Sequence, residues 1–198
     1  QVSVKRVFQD GDYVFTHTQY NFFGPKIGFD IFRFDEGLIV EHWDNLQEIS
    51  ASTVSGRSQI DGHKEVTDLD KTEANKAVVK RLMGDVFLGV NPQKITDYIS
   101  TSTYLQHNPN VADGLDSLGA ALESMAKAGT PMTYTKNHIV LGEGNFVLAV
   151  SEGQFMAGHV AFYDLFRLED GLVVEHWDTI ENIPAKSQWK NTNGKFGF

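Results

Sequence analysis

The sequence contains no cysteine among its 198 residues, so it has no disulfide framework and no thiolate nucleophile. A membrane-spanning helix needs about eighteen or more consecutive apolar residues, and the sequence contains no such run. It also begins without the charged and apolar regions of a secretory signal. These absences argue against secretion and membrane insertion and favour a cytoplasmic location.

Basic residues are scarce. The 17 Lys and Arg are outnumbered by 26 Asp and Glu, which gives a formal net charge of -9. Binding to nucleic acid or to an anionic membrane requires a basic surface, so neither partner is expected. A small, neutral or hydrophobic ligand fits this composition better.

The strongest positive feature is a segment that occurs twice. Residues 28–44 return as residues 161–178, and both copies contain Asp-x-Phe-Arg followed by Gly-Leu-x-Val-Glu-His-Trp-Asp. A turn glycine between two strand-like runs predicts a β-hairpin, so the chain is expected to contain this hairpin twice. A helical region precedes only the second copy, and the first copy is therefore expected to be half of a domain.

Three helices are predicted between the two copies. The first follows Asp70-Lys71-Thr72-Glu73, which resembles a capping box, and carries apolar residues with helical spacing from Val79 onwards. Asn91-Pro92 opens a short second helix, and the third begins near Leu115. Because strand-like sequence lies on both sides of the helices, the predicted fold class is α+β.

The region between the copies also divides the chain. Residues 50–70 are rich in Ser, Thr and Asp and show no hydrophobic periodicity, so a linker is predicted there. The expected organisation is a partial, strand-only unit, a linker, a complete unit and a tail, at residues 1–50, 51–70, 71–185 and 186–198.

The partial unit raises the question of what covers its sheet, because an uncovered apolar face promotes aggregation. It can pack on the complete unit as an intramolecular pseudo-dimer, borrow helices from another chain, or have lost preceding helices of a longer precursor. The third explanation is favoured, since the chain starts at Gln1 directly in strand-like sequence.

Strand alternation places candidate polar groups among apolar ones in the second copy. Asp164 shares a face with Phe162 and Phe166, while His176 and Asp178 lie together on the returning strand. A carboxylate on an apolar face is costly unless it is paired, protonated or in contact with water, and burial raises its pKa towards the range useful for proton transfer. Structural roles remain open, namely pairing of Asp164 with Arg167 or His176, capping of a turn by Asp178, and a surface pair between Arg167 and Glu175.

The motifs resemble those of a known family. The His107-Asn108-Pro109 segment, the following Asp113-Gly114 and the Glu-His-Trp-Asp ending resemble the SnoaL-like polyketide cyclases of the NTF2-like superfamily, over residues 73–183 and, for the sheet half only, residues 4–49. The resemblance implies a cone-shaped α+β barrel in which a curved sheet wraps three helices around a hydrophobic pocket. It also implies dimerisation through the sheets and catalysis without a cofactor.

The resemblance further implies roles for individual residues. Asp178 takes the position of the general acid/base, with Asp164 opposite and with His107, His176 and Tyr134 as candidate donors to an enolate oxygen. The pocket is expected to include Tyr134, Phe162, Phe166 and Trp177, although a tryptophan here is also a common core or interface residue. His107 can alternatively hold a loop at the pocket mouth. The counterparts in the first copy are Asp30, His42, Asp44 and His17.

The function expected from these features is acid/base chemistry on a hydrophobic carbonyl compound, either an aldol-type cyclisation or an isomerisation. The competing hypothesis is a non-catalytic module that binds a ligand or dimerises, because a fold alone does not determine function. A weaker alternative is an epoxide hydrolase with Arg167 between two acids. No metal site is expected, since the histidines show no His-x-x-x-His spacing.

Overall fold

The computed structural model describes residues 1–198, which form two sheets and a helical layer. The first sheet has the order β1-β2-β3-β4, a simple meander. Its strands are Val2–Asp10, Tyr13–Asn21, Pro25–Asp35 and Leu38–Glu48. Glu36 and Gly37 connect β3 to β4 with positive φ angles of 49° and 78°, a turn geometry that suits the twist of an antiparallel hairpin.

The second sheet has five strands in the order β5-β9-β8-β7-β6, and only β5 runs parallel to its neighbour. The strands are Leu105–Gln106 (β5), Thr133–Glu143 (β6), Phe146–Phe155 (β7), Gly158–Glu169 (β8) and Leu172–Asn182 (β9). Asp164 pairs with Asp178 across β8 and β9, just as Asp30 pairs with Asp44 across β3 and β4. The last hairpin of each sheet therefore presents the same residues in the same register.

The helical layer lies between the sheets in sequence and covers one face of the second sheet. It comprises α1 (Thr72–Leu82), a π-helical turn (Met83–Phe87), a 3₁₀ helix (Pro92–Asp97) and α2 (Leu115–Lys127). Apolar residues such as Val79, Leu82 and Leu118 pack on Phe162 and Phe166 of β8 in one hydrophobic core. Neither α1 nor α2 is long and apolar enough to cross a membrane. The mixed α+β class predicted from the sequence is confirmed, with curved and unclosed sheets.

The helix starts differ from the prediction. Asp70 lies in a 3₁₀ turn, Leu69–Lys71, and the residue that precedes α1 is Lys71, whose side chain makes no capping hydrogen bond. Asn91 likewise makes no capping bond and donates from Nδ2 to Asp85 instead. The helix positions follow from their apolar periodicity, whereas the predicted caps do not form.

The first sheet packs against the outer face of the second. Phe15, Phe29 and Trp43 of the first sheet share a second hydrophobic core with Tyr163 and Trp177 of the second. This contact removes the apolar contacting face of each sheet from water, which is the main stabilising contribution expected for such an interface. No helix covers the other face of the first sheet, which carries exposed apolar side chains such as Val4, Val7 and Ile39.

Part of the segment predicted as a linker contacts both sheets. Residues 57–63, here called the strap, run behind β9. Arg6 of β1 donates to the carbonyl oxygens of Asp61 and His63 in the strap, and its guanidinium lies 4.2 Å from the centre of the Trp177 ring. Gly62 has a φ of 91°, and a Cβ there would lie 2.7 Å from Trp177 Cζ2. The strap therefore requires glycine where it passes β9.

Two further details differ from expectation. The strand predicted to run from Phe155 into β8 is interrupted by Met156 and Ala157, which both have positive φ and form the turn between β7 and β8. Arg167 and Glu175, expected as a surface pair, are buried, and Arg167 Nε donates to Glu175 Oε2 at 2.7 Å. They are buried because the first sheet and the strap cover this side of β8 and β9.

Candidate active site

Three polar side chains converge on the helix-covered face of the second sheet. Asp164 projects from β8, and His176 and Asp178 project from β9; all three are buried. Even-numbered residues of both strands face the helices here, so the pleat of the sheet brings the three groups together. The structure thus brings together Asp164, Asp178 and His176, which strand alternation had placed on one face.

Gln106 determines where the protons on His176 lie. The backbone N–H of Asn108 donates to Gln106 Oε1 at 2.9 Å, so this atom is an acceptor. His176 Nδ1 lies 3.0 Å from the same oxygen and must therefore carry a hydrogen. The other ring nitrogen, Nε2, lies 3.0 Å from Asp164 Oδ1. Burial lowers the pKa of His176, but the hydrogen bond to Asp164 and the charges of Asp178 and Asp164 outweigh it, and the net pKa is raised.

Asp178 is held by one oxygen only. Asn108 Nδ2 donates to Oδ2 at 2.7 Å, whereas the buried Oδ1 has no hydrogen-bond partner. Burial raises the pKa of Asp178 to about 6, with Asp164 adding to the increase and His176 and Asn108 opposing it. A buried carboxylate oxygen without a donor is costly, and this oxygen can accept a proton from a bound molecule.

Two tyrosine hydroxyls complete the polar group. Tyr134 donates to Asp164, whose two oxygens lie 3.2 and 3.3 Å from the hydroxyl. The Tyr104 hydroxyl accepts from Gln106 Nε2 at 3.3 Å, which leaves its own proton free to donate. Burial and the nearby carboxylates raise the pKa of both phenols, so both remain protonated donors at neutral pH.

The polar group borders a small chamber that meets a larger cleft. The chamber, about 30 Å³ in volume, is lined by Asp164, His176 and Asp178 together with apolar residues of the helices. A cleft of about 510 Å³ lies next to it, and the two share Asn108, Val111, Met125 and Met132 as lining residues. The chamber is roughly the size of one water molecule, so a substrate in the cleft reaches Asp178 only if side chains that line the chamber move. Met125 and Met132 are the most flexible of the shared lining residues.

Several predicted site residues occupy other places. His107 and Trp177 lie on the opposite face of the sheet, where their rings stack at 4.6 Å. His107 Nδ1 donates to the Ser58 carbonyl oxygen at 2.7 Å, and Nε2 lies 2.9 Å from Glu175 Oε1. His107 therefore ties the strap to β9 and does not reach the chamber. Tyr134, Phe162 and Phe166 lie on the helix-covered face, but of these three predicted pocket residues only Tyr134 lines the chamber, while Phe162 and Phe166 belong to the hydrophobic core.

The counterparts in the first sheet lie on its uncovered face. His42 Nε2 is 3.1 Å from Asp30 Oδ1, and Tyr20 donates to Asp30 Oδ2 at 2.5 Å. The His42 side chain is 44% exposed, and no helix closes a pocket over Asp30, His42 and Asp44. His17 is not part of this set. It is buried between the sheets, where Arg6 Nη1 donates to its Nδ1 at 3.0 Å.

Both Asp-His-Asp sets could also serve as metal ligands. In each set the ligand atoms lie within 4.8 Å of one another, and imidazole and carboxylate groups are common ligands of divalent cations. In the second sheet, however, His176 Nε2 and Asp164 Oδ1 are already hydrogen-bonded to each other. A cation would have to replace this contact, so proton transfer suits the observed arrangement better.

Comparison with known proteins gives structural neighbours only. No protein-family model matches the sequence, and no curated protein sequence matches it. A "putative ketosteroid isomerase" from Kribbella flavida is similar over 64% of this chain and 95% of its own, with 13% identity and a TM-score of 0.48. IdmH, a "putative polyketide cyclase" from Streptomyces antibioticus, covers 54% of this chain and 91% of its own, at 17% identity and a TM-score of 0.42.

A third structure, TsrD from Streptomyces laurentii, shares 24% identity over 53% of this chain and 89% of its own, with a TM-score of 0.41. These identities and TM-scores transfer no function to this chain.

Three residues of the site were not predicted from the sequence. Tyr104, Gln106 and Asn108 alternate along one extended segment, and all three side chains line the chamber. Their spacing of two is the signal that would have identified them. It was obscured because β5 is only two residues long and pairs with β9 in parallel.

Proposed function

We propose that this chain is a cofactor-independent acid/base enzyme of the SnoaL-like type. It acts on a neutral, hydrophobic carbonyl compound and moves a proton at the carbon next to the carbonyl group, in an isomerisation or an aldol-type cyclisation. The observation that carries the proposal is the Asp178 carboxylate, which is buried, has one free oxygen and borders the chamber.

Asp178 is suited to be the base. A pKa of about 6 leaves most of the carboxylate ionised at neutral pH and makes it a stronger base than an ordinary aspartate. Oδ1 takes the proton from carbon, while Asn108 keeps Oδ2 in place. In an isomerisation Asp178 returns this proton to a different carbon. In a cyclisation the enolate carbon attacks a second carbonyl, and the resulting alkoxide takes the proton from Asp178.

The enolate oxygen needs a donor in the same chamber. Tyr104 has a free hydroxyl proton, and its raised pKa keeps that proton in place. Donors that are already oriented towards developing charge supply much of the rate enhancement in such sites. His176 lies within hydrogen-bond distance of Asp164, and its raised pKa favours the charged imidazolium, which lowers the cost of holding two carboxylates in one cavity.

The two-unit organisation belongs to the same proposal. Residues 71–185 form the unit with the pocket, and residues 1–50 form a partial unit that covers the outer face of its sheet. The first unit thus takes the place that a second subunit would occupy, as an intramolecular pseudo-dimer. A hydrolase mechanism through Arg167 is disfavoured, because its guanidinium is engaged by Glu175 and Glu169 on the face away from Asp164.

The proposal can be tested with a β,γ-unsaturated cyclic ketone, whose conversion to the conjugated enone is followed by ultraviolet absorbance. Asp178→Asn is expected to lower turnover by a factor of about 10² or more, the usual scale for loss of a general base. Asp44→Asn is the matched control, since it removes the carboxylate at the same register position of the uncovered sheet. Treatment with EDTA is expected to leave turnover unchanged.

The competing function is ligand binding without catalysis. It is favoured by the small size of the chamber and by the engagement of both Asp164 oxygens by its neighbours. Binding of the ketone with no conversion, or equal conversion by the wild type and Asp178→Asn, would support this alternative and remove Asp178 from the mechanism.

A further inference from the structure

The cleft is not built from the second unit alone. Its lining residues lie between positions 108 and 182 with one exception, Gln47, which belongs to β4 of the first sheet. Gln47 lines the cleft but not the chamber of Asp178. It therefore lies where the part of a substrate remote from the reacting carbonyl would be bound.

The orientation of the Gln47 amide is determined by its anchor. The backbone N–H of Ile180 donates to Gln47 Oε1 at 2.9 Å, and a backbone N–H can only donate. The oxygen is thus the bound end of the amide. Nε2 makes no hydrogen bond within the chain, so its two N–H groups are free to donate to a molecule in the cleft.

Neighbouring residues hold Gln47 in place. Asn45 Nδ2 donates to the Thr179 carbonyl oxygen at 3.0 Å, and the backbone N–H of Leu46 donates to Glu181 Oε2 at 3.3 Å. Three consecutive residues of β4 are thereby bonded to three consecutive residues of β9. A donor fixed in this way loses little conformational entropy when it binds a ligand.

The chemistry of the cleft narrows the class of ligand. None of its lining residues is charged, although the whole chain has a net charge of -9. Hydrophobic residues form most of the surface, and the polar ones are neutral: Gln47, Asn108, Asn110, Ser124 and Asn182. Such a surface suits an apolar, uncharged body that carries a few oxygen atoms.

We propose that Gln47 is a specificity residue, supplied by the first unit, that binds a neutral oxygen acceptor at the remote end of the substrate. The substrate is then a carbonyl compound with a second oxygen, as a carbonyl or hydroxyl group, far from the reacting carbon. This inference rests on the proposed function only in assuming that the substrate lies in the cleft with its reacting end towards Asp178.

The test uses two fluorescent naphthols of similar shape as probes. In 6-acetyl-2-naphthol a carbonyl acceptor lies opposite the hydroxyl that imitates an enolate oxygen, and 6-isopropyl-2-naphthol lacks this acceptor. The wild-type chain is expected to bind the acetyl compound about three- to tenfold more tightly, which corresponds to one net hydrogen bond.

Gln47→Glu is the informative variant. Its carboxylate can still accept the Ile180 N–H but has no hydrogen to donate, so the preference for the acetyl compound should disappear. Gln47→Met, of similar length, should give the same loss without adding charge, and it serves if the glutamate variant does not fold. Gln93→Glu places the same charge change on the exposed surface and should keep the preference.

The outcomes separate this inference from the proposed function. An unchanged preference in both Gln47 variants overturns the role of Gln47. A wild-type chain that binds both probes equally, or binds neither, also overturns it. A preference that depends on Gln47, together with ketone turnover that does not depend on Asp178, leaves the specificity residue standing and removes the base. If turnover depends on Asp178 but the preference does not depend on Gln47, Asp178 stands as the base and Gln47 is removed as a specificity residue.

Discussion

Asp164 and Asp178 lie directly opposite each other on β8 and β9, yet only Asp178 has a free oxygen. His176 and Tyr134 both contact Asp164, whereas Asn108 is the single side-chain donor to Asp178. The two carboxylates share one cavity but differ in the hydrogen-bond donors that contact them. Asp164 orients His176 and raises its pKa, and Asp178 is left to exchange a proton.

The pH dependence of ketone isomerisation should report on this arrangement. Asp178 must be ionised to act as a base, so kcat/KM is expected to rise with pH and to reach half its plateau at an apparent pKa of about 6. His176 titrates in the same cluster, and the apparent value therefore belongs to the group as a whole. A midpoint near 4, the ordinary value for aspartate, would contradict the proposed burial of the base.

The same pKa predicts that the wild-type site reduces stability. Because the folded-state pKa of Asp178 is raised from 3.8 to about 6, the folded state binds the proton more tightly, and stability falls as pH rises between these two values. Asp178→Asn removes this cost. At pH 7 its free energy of unfolding should exceed that of the wild type by up to about 3 kcal/mol. Urea denaturation at pH 7 and pH 4 should show the difference shrinking at the lower pH, and a less stable variant at pH 7 would refute the prediction.

The buried ion pair on the other face of β9 should have the opposite effect. Burial raises the pKa of Glu175, but its hydrogen bonds from His107 and Arg167 and their charges lower it to about 2. Glu175→Gln leaves Arg167 with only the exposed Glu169 as a charged partner and is expected to reduce the free energy of unfolding by about 3 kcal/mol. The deficit should be largest above pH 4.5 and should diminish as pH falls towards 2.

Glu41→Gln is the matched control for Glu175→Gln. Glu41 accepts from Arg33 at the equivalent register position of the first sheet, where both side chains are about one third exposed, at 34% and 38%. Water screens such a pair, so the midpoint of denaturation should hardly move. Equal effects of the two substitutions would mean that burial does not distinguish the pairs.

The strap can be tested at Gly62. An added Cβ would overlap Glu175 Oε1 and lie 2.9 Å from His107 Nε2, at a φ of 91°. Gly56→Ala is the control, because Gly56 also has a positive φ, 75°, but no atom within 4 Å of a Cβ. The control should show only the cost of the backbone conformation, about 1 kcal/mol. Gly62→Ala should lose about 1–3 kcal/mol more because of overpacking, measured by thermal denaturation. Similar losses for both variants would show that the strap does not pack closely on β9.

The sequence was informative where one rule governs a long element. Period-two alternation placed Asp164, His176 and Asp178 on one face, and helical periodicity located α1 and α2. The alternation also placed Trp177 on the opposite face from His176, although Trp177 was still expected in the pocket. The tertiary contact that decides its position, the packing of the first sheet on that face, leaves no local pattern in the sequence.

Shorter elements were harder to predict. His107 was predicted as a site residue and Asn108 was not, but the extended path of residues 104–108 turns His107 towards the strap and Asn108 towards Asp178. The turn at Met156 and Ala157 contains no glycine or asparagine, so nothing in its composition marks the positive φ angles. In both places a few tertiary contacts outweigh residue preference.

The uncovered face of the first sheet carries a histidine that serves as an internal control for His176. His42 and His176 occur in the same Glu-His-Trp-Asp sequence, and each lies 3.0 to 3.1 Å from an aspartate on the neighbouring strand. Their side chains differ in exposure, at 44% and 8%. One NMR titration that follows both imidazoles in a single sample therefore compares a half-exposed and a buried histidine, each beside a buried aspartate, with salt and temperature held equal.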